Sequence, residues 1–344
     1  MIQPLQGYRI LDFTKLLPGP LATLWMAQQG AEVIKVESPQ SPDPVRFYPP
    51  MKNGVSVFYT TLNTGKKSLS VDYRSNEGKE SILKLIETAD VVIEQFRPGV
   101  MQAFGLDYEA IKKRNPKIIL VSITGYGQVG EMAAKPGHDI NYLSYSGMLD
   151  AQRDSSGNPI ISAAQLADVA GGSMMALNAT TSALLHRERT GEGQHVDVSM
   201  THNISVLQIM RVAEELETGT SNGYLSGRLA SYNVYKCADG RHVALGALEP
   251  KFWQKFCNLM EHPEWGGRLL ESELIEEVAA QFATKTMQFW VDKLEKEDVC
   301  LSPVLTVQEA AKHSLFMNGF PIVFGASELS DAPKLGADNE ALLK

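Results

Sequence analysis

At 344 residues the chain is long enough to bury a large core and to divide into two domains. Its 44% hydrophobic and 21% charged residues are ordinary globular usage, and a net charge of −8 argues against broad binding to nucleic acid or an anionic membrane. The three cysteines, Cys237, Cys257 and Cys300, are widely spaced, so neither a disulfide framework nor a zinc site is expected. The N-terminus lacks the charged and apolar regions of a signal peptide, and no apolar run is long enough to cross a bilayer. The last residues, Ala341-Leu342-Leu343-Lys344, are not a peroxisomal address. A soluble cytoplasmic protein is expected.

In chain order, Arg9–Phe13 reads as a short buried strand, and Leu21–Gln29 as a helix closed by Gly30. Glu32–Glu37 (EVIKVE) is the next strand, completing a parallel unit with a right-handed crossover. Ser38–Asn53, rich in Pro and polar residues, reads as a loop. Ser68–Val71, Asp90–Phe96 and Lys117–Thr124 are further strands, with a helix over about Glu77–Thr88 and a short one starting at Pro98. Such alternation predicts an α/β fold with an open, Rossmann-like parallel sheet. Helical spacing from Gln165 to Arg187 predicts one long helix, and His195–Met200 begins another strand. Thr218–Arg228 reads as a linker. Beyond it, Tyr232–Ala247 reads as a hairpin around Ala238-Asp239-Gly240, followed by helices at Pro250–Met260, Leu274–Phe282 and Thr286–Glu297. This second part is a smaller α+β domain. The tail from Phe320 reads as loop.

The stretch Pro136-Gly137-His138-Asp139-Ile140-Asn141-Tyr142 carries the most chemistry. Pro136 and Gly137 mark a helix start, and Ile140, Leu143 and Leu149 form the apolar stripe of the helix that follows. A histidine in a first helical turn is well placed to exchange a proton, and the unpaired N–H groups around it can hold an oxyanion. Its bland alternative is a cap. Asp168 lies among small apolar residues, where a carboxylate is costly without a partner or a task; its bland alternative is also a helix cap. Gly171-Gly172 permits close approach of either a ligand or a neighbouring helix. Glu249 stands between a strand and a helix, where it also favours the helix N-terminus electrostatically. His138, Asp168 and Glu249 are together an acid/base set; two bases on opposite faces of one carbon could remove and return a proton, and the sequence alone does not bring the three together. Gly125-Tyr126-Gly127-Gln128-Val129-Gly130 fits G-x-G-x-x-G, but Pro136 and Gly137 interrupt the helix it should open and the expected acidic residue is missing.

On these motifs the chain resembles the class III CoA-transferase superfamily (CaiB/BaiF type), and within it the α-methylacyl-CoA racemases. The similarity includes Leu17-Pro18-Gly19-Pro20, Ala31–Glu37, Phe96-Arg97-Pro98-Gly99-Val100-Met101, Gly137–Tyr142, Ala167-Asp168, Gly191–Gln194, Gly246-Ala247-Leu248-Glu249-Pro250 and Pro333-Lys334-Leu335-Gly336. The resemblance implies an interlocked homodimer. Its large Rossmann-like, CoA-binding domain would be residues 1–220 with 317–344, and its small α+β domain residues 221–316. No metal or redox cofactor is implied, since CoA belongs to the substrate.

For a racemase, the resemblance gives His138, assisted by Glu249, as one acid/base and Asp168 as the other. A thioester enolate would form between them, its oxygen at the helix start that carries Asp139. The reaction would be 1,1-proton transfer on a 2-methylacyl-CoA. Substrate contacts implied are Asp72, Tyr73, Arg74, Phe96, Arg97, Gly137, Asp139, Asn141 and Tyr142. The alternative is a transferase moving CoA between carboxylic acids with Asp168 as nucleophile; a third is a non-catalytic binder of CoA thioesters. Histidine at 138 and the dispersed Gly219, Gly223 and Gly227 favour the racemase. Where the family often has Arg-Pro after the second strand, this chain has Ser38-Pro39, with Arg46 as the nearby basic substitute. Arg228 stands where racemases tend to carry glycine, toward the acyl pocket.

Overall fold

The computed structural model describes residues 3–154, 156–316 and 329–343. Contacts divide the chain into two compact units, Met1–Ile209 with Ile322–Lys344, and Met210–Pro321.

The first unit runs β1 (Arg9–Asp12), α1 (Pro18–Gln28), β2 (Glu32–Glu37), β3 (Met51–Lys52), β4 (Val55–Ser56), α2 (Val57–Asn63), β5 (Lys67–Ser70), α3 (Asn76–Ile86) and β6 (Val91–Glu94). It continues through α4 (Val100–Phe104), α5 (Tyr108–Arg114), β7 (Ile119–Thr124), α6 (Asp139–Tyr145), α7 (Met148–Ala151), a π-helical turn at Ala167–Met174, α8 (Met175–Thr190), β8 (His195–Ser199) and α9 (Met200–Ser205). Six strands form one parallel sheet in the order β5-β2-β1-β6-β7-β8. Strands such as EVIKVE are buried on both faces, so alternate side chains enter two different cores. Val33, Ile93 and Val121 pack against α1 and α8 on one side, while Ile34, Val92 and Leu120 pack against α3 to α5 on the other. The strand order runs outward in both directions from the β1–β6 pair. That pair is the topological switch point, outside whose carboxyl ends an open α/β sheet has its ligand crevice.

Local signals account for the helix boundaries. Ser75 and Asp107 cap α3 and α5 by accepting from the N–H groups of Gly78 (3.0 Å) and Ala110 (3.1 Å). Gly191 ends α8 in the left-handed conformation at φ +78°, with Arg187 and Arg189 in the last turn.

The second unit takes α10 (Ile209–Thr218) at its boundary, then β9 (Tyr232–Lys236), β10 (His242–Gly246), α11 (Pro250–Leu259), α12 (Glu273–Phe282), α13 (Met287–Leu294), β11 (Leu301–Pro303) and α14 (Val307–Ala310). Its sheet is antiparallel, β11-β10-β9, and its core is aromatic, built on Trp253, Phe256, Trp265, Phe282 and Trp290. In the C-terminal segment, α15 (Asn339–Leu342) returns to the large sheet.

Several expectations need correcting. The Ser38–Asn53 loop holds a 3-10 turn at Pro44–Phe47 and the first strand of a two-stranded hairpin, and the helix α2 follows directly. The single helix expected over Gln165–Arg187 starts as a π-helix. The stripe from Ile140 to Leu149 belongs to two short helices separated by Gly147, whose φ of +77° stops the first. The tail is not all loop, because α15 closes it; residues 317–328 lie outside the described residues.

Candidate active site

A cleft of about 470 Å³ opens at the switch point. Leu16 and Pro18 follow β1 into it, Gln95, Phe96 and Arg97 follow β6, and Thr124 and Gly125 end β7. The loop after β1 is held from beneath by buried charge. Lys66 reaches Asp12 at 3.1 Å and Lys35 reaches Asp43 at 2.9 Å, with all four side chains shielded from water. Burial alone would raise the Asp12 carboxyl, but Lys66 and Lys35 hold it down at about 2. Asp43 also accepts from the N–H of Leu16 (3.2 Å), a non-glycine residue held at φ +63°, a costly conformation that this anchor sustains at the cleft wall. The Gln95 side chain ties Lys15 O and Gly19 N–H together from β6 (2.6 and 3.2 Å).

His138 occupies the N-cap position of α6, and its backbone N–H donates to Asn141 Oδ1 at 3.0 Å. The turn before it is shaped around Tyr142, whose hydroxyl donates to Gly137 O at 2.6 Å. A Cβ on Gly125 would stand 2.5 Å from the Tyr142 ring, and one on Gly137 would stand 2.7 Å from it, so both positions require glycine. Burial pushes the Tyr142 hydroxyl up to about 12, with Asp168 adding to the rise.

Asp168 enters the same cleft from the π-helix. Its backbone N–H donates to Asp139 Oδ1 at 2.9 Å, so Asp139 fastens the acidic residue's main chain to the start of α6. Burial first, and then the charge of Asp139, push the Asp168 carboxyl up to about 7. Gly171 and Gly172 serve helix packing: a Cβ on Gly171 would lie 2.7 Å from Met200 O, and Gly172 packs against Pro18 and Met200.

Of the residues singled out from the sequence, His138, Asp168, Phe96, Arg97, Gly137, Asn141 and Tyr142 line this one cleft, and Asp139 supports it. Asp72 and Arg74 lie in the turn before α3, where the Asp72 carboxylate accepts from the Arg74 N–H at 3.2 Å. The Tyr73 ring is buried between Phe13 and Phe104, so only its backbone is left for a ligand. Glu249 precedes α11 in the second unit. Arg46 is not the free basic substitute for the missing arginine. Its guanidinium is bonded to both oxygens of Glu37 (2.9 and 2.5 Å) and lies over the Tyr59 ring. The G-x-G-x-x-G segment opens no helix; Thr124 and Asp197 take its Gly127 and Gln128 N–H groups at 2.9 and 2.7 Å.

Leu16, Gln95, Lys135 and Met200 line the cleft without having been singled out. Leu16 and Gln95 follow two strands at the switch point, a signal the strand order would have given. Lys135 lies in an irregular turn that no periodicity marks. Together with Arg97, Lys135 gives the cleft lining positive charge, and among the described residues no carboxylate pairs with the Arg97 guanidinium. A cleft with two cations on its wall, a histidine and a half-ionised carboxyl fits an anionic substrate undergoing proton or acyl transfer.

The chain is 32% identical to the human (Homo sapiens) α-methylacyl-CoA racemase over 90% of this chain and 80% of that one. It is 31% identical to the mouse (Mus musculus) succinyl-CoA:glutarate CoA-transferase over 90% and 73%. A crystal structure of Rv3272 from Mycobacterium tuberculosis superposes with a TM-score of 0.85 at 30% identity, covering 99% of both chains. A CaiB/BaiF family protein from Brucella suis gives the same score at 26% identity, again with 99% of each covered. The model of CoA-transferase family III matches residues 5–323. Racemases and CoA-transferases both stand among these relatives, so the chain is an enzyme, and it belongs to CoA-transferase family III.

Proposed function

We propose that the chain is an acyl-CoA epimerase that moves the α-proton of a 2-methylacyl-CoA thioester from one face to the other. The observation that carries this reading is the Asp168 carboxyl, pushed up to about 7 in the cleft that His138 also lines. A carboxyl that is half protonated at neutral pH is available as acid or as base, as a two-base epimerisation requires of each partner in turn. A nucleophilic carboxylate needs the opposite tuning, toward full ionisation.

In this reaction one base takes the Cα proton and the thioester becomes an enolate, its oxygen facing the backbone N–H groups at the start of α6. The acid on the other face then returns a proton to Cα. For one epimer His138, assisted by Glu249, begins and Asp168 finishes; for the other the order reverses. Arg97, with Phe96, Asp72 and Arg74, receives the CoA moiety, where the guanidinium would meet phosphate. CoA is part of the substrate, and the chemistry calls on no metal or redox group. The enzyme works as an interlocked homodimer in the cytoplasm, with residues 1–220 and 317–344 as the CoA-binding domain and 221–316 as the smaller one. Large apolar side chains left open to solvent in the single chain support a partner: Val206 is 60% exposed and Leu207 59%. Among the described residues no helix is long and apolar enough to cross a membrane.

A CoA-transferase is the second reading, favoured by a relative of that name at 31% identity, beside 32% for the racemase. There Asp168 would attack the thioester, expelling the CoA thiolate to leave an acyl anhydride. Deuterium incorporation at Cα of a 2-methylacyl-CoA in D₂O, with no acceptor acid present, separates the two. Exchange without a second substrate is the expected result. An acyl adduct on Asp168 trapped by hydroxylamine, with no deuterium uptake, would replace epimerase by transferase.

A further inference from the structure

Beside the cleft lies a second cavity of about 300 Å³, between the strands β6 to β8 and the helices α4 and α5. Arg97 and Pro98 line both spaces. Three polar side chains from neighbouring strands meet at the second one. Glu94 ends β6 and is 3% exposed; Ser122, its register partner on β7, is 1% exposed; His195 begins β8. Ser122 Oγ lies 2.8 Å from His195 Nε2, and its hydroxyl favours the ionised form of the Glu94 carboxyl. Glu94 Oε2 accepts from the N–H of Phe96 at 2.7 Å, so the same carboxyl grips the turn that carries Arg97. The His195 ring stacks on Tyr108, 5.8 Å between centroids. The proton transfers of the main cleft use none of the three.

We infer that Glu94, Ser122 and His195 are positioning residues for Arg97: the charge on Glu94 sets whether the guanidinium faces the phosphates of a CoA thioester or turns to the second cavity. The inference rests on the acyl-CoA reading of the cleft. With Glu94 protonated, its O–H donates to Ser122, Ser122 donates to His195 Nε2, and the inward pull on Arg97 is reduced to that of Asp107 and Glu109 around the start of α5. On ionisation the Glu94 proton passes to Ser122, Ser122 passes its own to His195 Nε2, and His195 Nδ1 releases one to solvent, so the ring ends neutral and the chain reverses. His195 Nε2–H then donates to Ser122, Ser122 donates to the carboxylate, and the bond from Phe96 N–H becomes charge-assisted. The new negative charge competes with phosphate for Arg97.

The exchange falls at neutral pH because burial pushes the Glu94 carboxyl up to about 7, with Asp197 adding to the rise against the bonds from Ser122 and Phe96. Burial lowers His195 against the opposing charge of Asp197, which favours the neutral ring beside Glu94. The other titratable groups at the cavity are Asp107, Tyr108 and Glu109 around the start of α5. They add negative charge or none, which leaves Arg97 as the fixed cation there.

Affinity for free coenzyme A, measured by titration calorimetry between pH 6 and 8, tests this. Wild-type affinity should fall by about tenfold across that range, the worth of one charge-assisted contact to phosphate. Glu94→Gln keeps the acceptor for Phe96 N–H but never ionises, so it should hold the pH 6 affinity at pH 8. Ser122→Ala removes a donor to the carboxylate and should move the midpoint to higher pH. In turnover the change should appear in KM and leave the pH profile of kcat in place. Arg97→Ala should bind weakly at every pH. If Arg97→Ala binds as tightly as wild type, the acyl-CoA reading of this wall fails. If Arg97→Ala is weak while Glu94→Gln follows the wild-type pH curve, the positioning role is overturned. Should Glu94→Gln not fold, an unmoved midpoint in Ser122→Ala overturns it equally.

Discussion

Asp168 shares its cleft with two cations and, among the described residues, forms an ion pair with neither, so burial and the neighbouring Asp139 decide its protonation. The folded protein therefore favours the neutral carboxyl. A carboxyl raised above its ordinary value contributes stability at low pH that is lost as pH climbs from about 4 to about 7. Asp168→Asn, permanently neutral, should melt a few degrees above wild type at pH 8, with the gap closing toward pH 4. Equal melting temperatures across that range would show that the folded site does not disfavour the charge. Catalysis by the same variant separates the two faces. Asp168→Asn should abolish epimerisation in both directions while leaving slow Cα exchange from the epimer that meets His138, and His138→Ala should show the opposite preference. Each loss should be about 10²–10⁴-fold, the usual worth of a positioned acid or base. Identical residual exchange from both epimers in both variants would rule out opposite-face bases.

Among the elements, what was legible followed from period and punctuation. EVIKVE sets the β-branched Val33, Ile34 and Val36 between Gly30 and Pro39, and it is a strand buried on both faces, with Lys35 and Glu37 taken up in buried ion pairs. Pro136-Gly137 and Gly30 marked a helix start and a helix end because each solves a local backbone problem. The π-helix was not legible. Widening a helix by one residue leaves the apolar spacing nearly intact, and the cause is tertiary, the close crossing of Gly171 against α9. The grouping of His138 with Asp168 was proposed by resemblance; periodicity could not give it, because loop geometry and strand order bring them to one cleft. Arg46 was misjudged for a related reason, as a basic residue in a polar loop reads the same whether it faces a ligand or a buried Glu37. The Gly171 crossing carries its own prediction. Gly171→Ala would drive a methyl group into Met200 O, a backbone atom with little room to yield, and should cost about 1–3 kcal/mol in denaturant unfolding. Because Asp168 sits three residues away on the same π-turn, exchange at Cα should fall as well. A variant with wild-type stability would mean that the π-turn yields freely.

At the scale of the whole chain, the sheet has one margin that its own neighbours in sequence do not protect. β5 is an edge strand, and an unpaired edge is a template for pairing with other molecules. The C-terminal segment covers it with side chains that imitate a strand. Asp338 Oδ2 accepts from the Ser68 N–H (2.8 Å), Asn339 Oδ1 accepts from the Ser70 N–H (2.8 Å), and Asn339 Nδ2 donates to Ser70 O (2.8 Å). The Gly336 N–H donates to Ser68 Oγ at 3.1 Å, drawing Pro333-Lys334-Leu335-Gly336 onto the same edge. Some 270 residues separate the partners, so this margin closes only when the two ends of the chain meet. Replacing Asp338 and Asn339 together by alanine removes three side-chain hydrogen bonds and frees the Ser68 and Ser70 N–H groups of the edge, leaving the Asp338 N–H bond to Ser68 O in place. At about 1 kcal/mol net for each bond, the double variant should lose roughly 3 kcal/mol and several degrees of melting temperature. It should also scatter light in a concentration-dependent way on warming, as exposed edges pair. Neither residue lines the cleft, so Cα exchange measured well below the melting transition should stay at the wild-type rate. Loss of exchange in a variant that melts normally would show instead that the tail acts on the reaction.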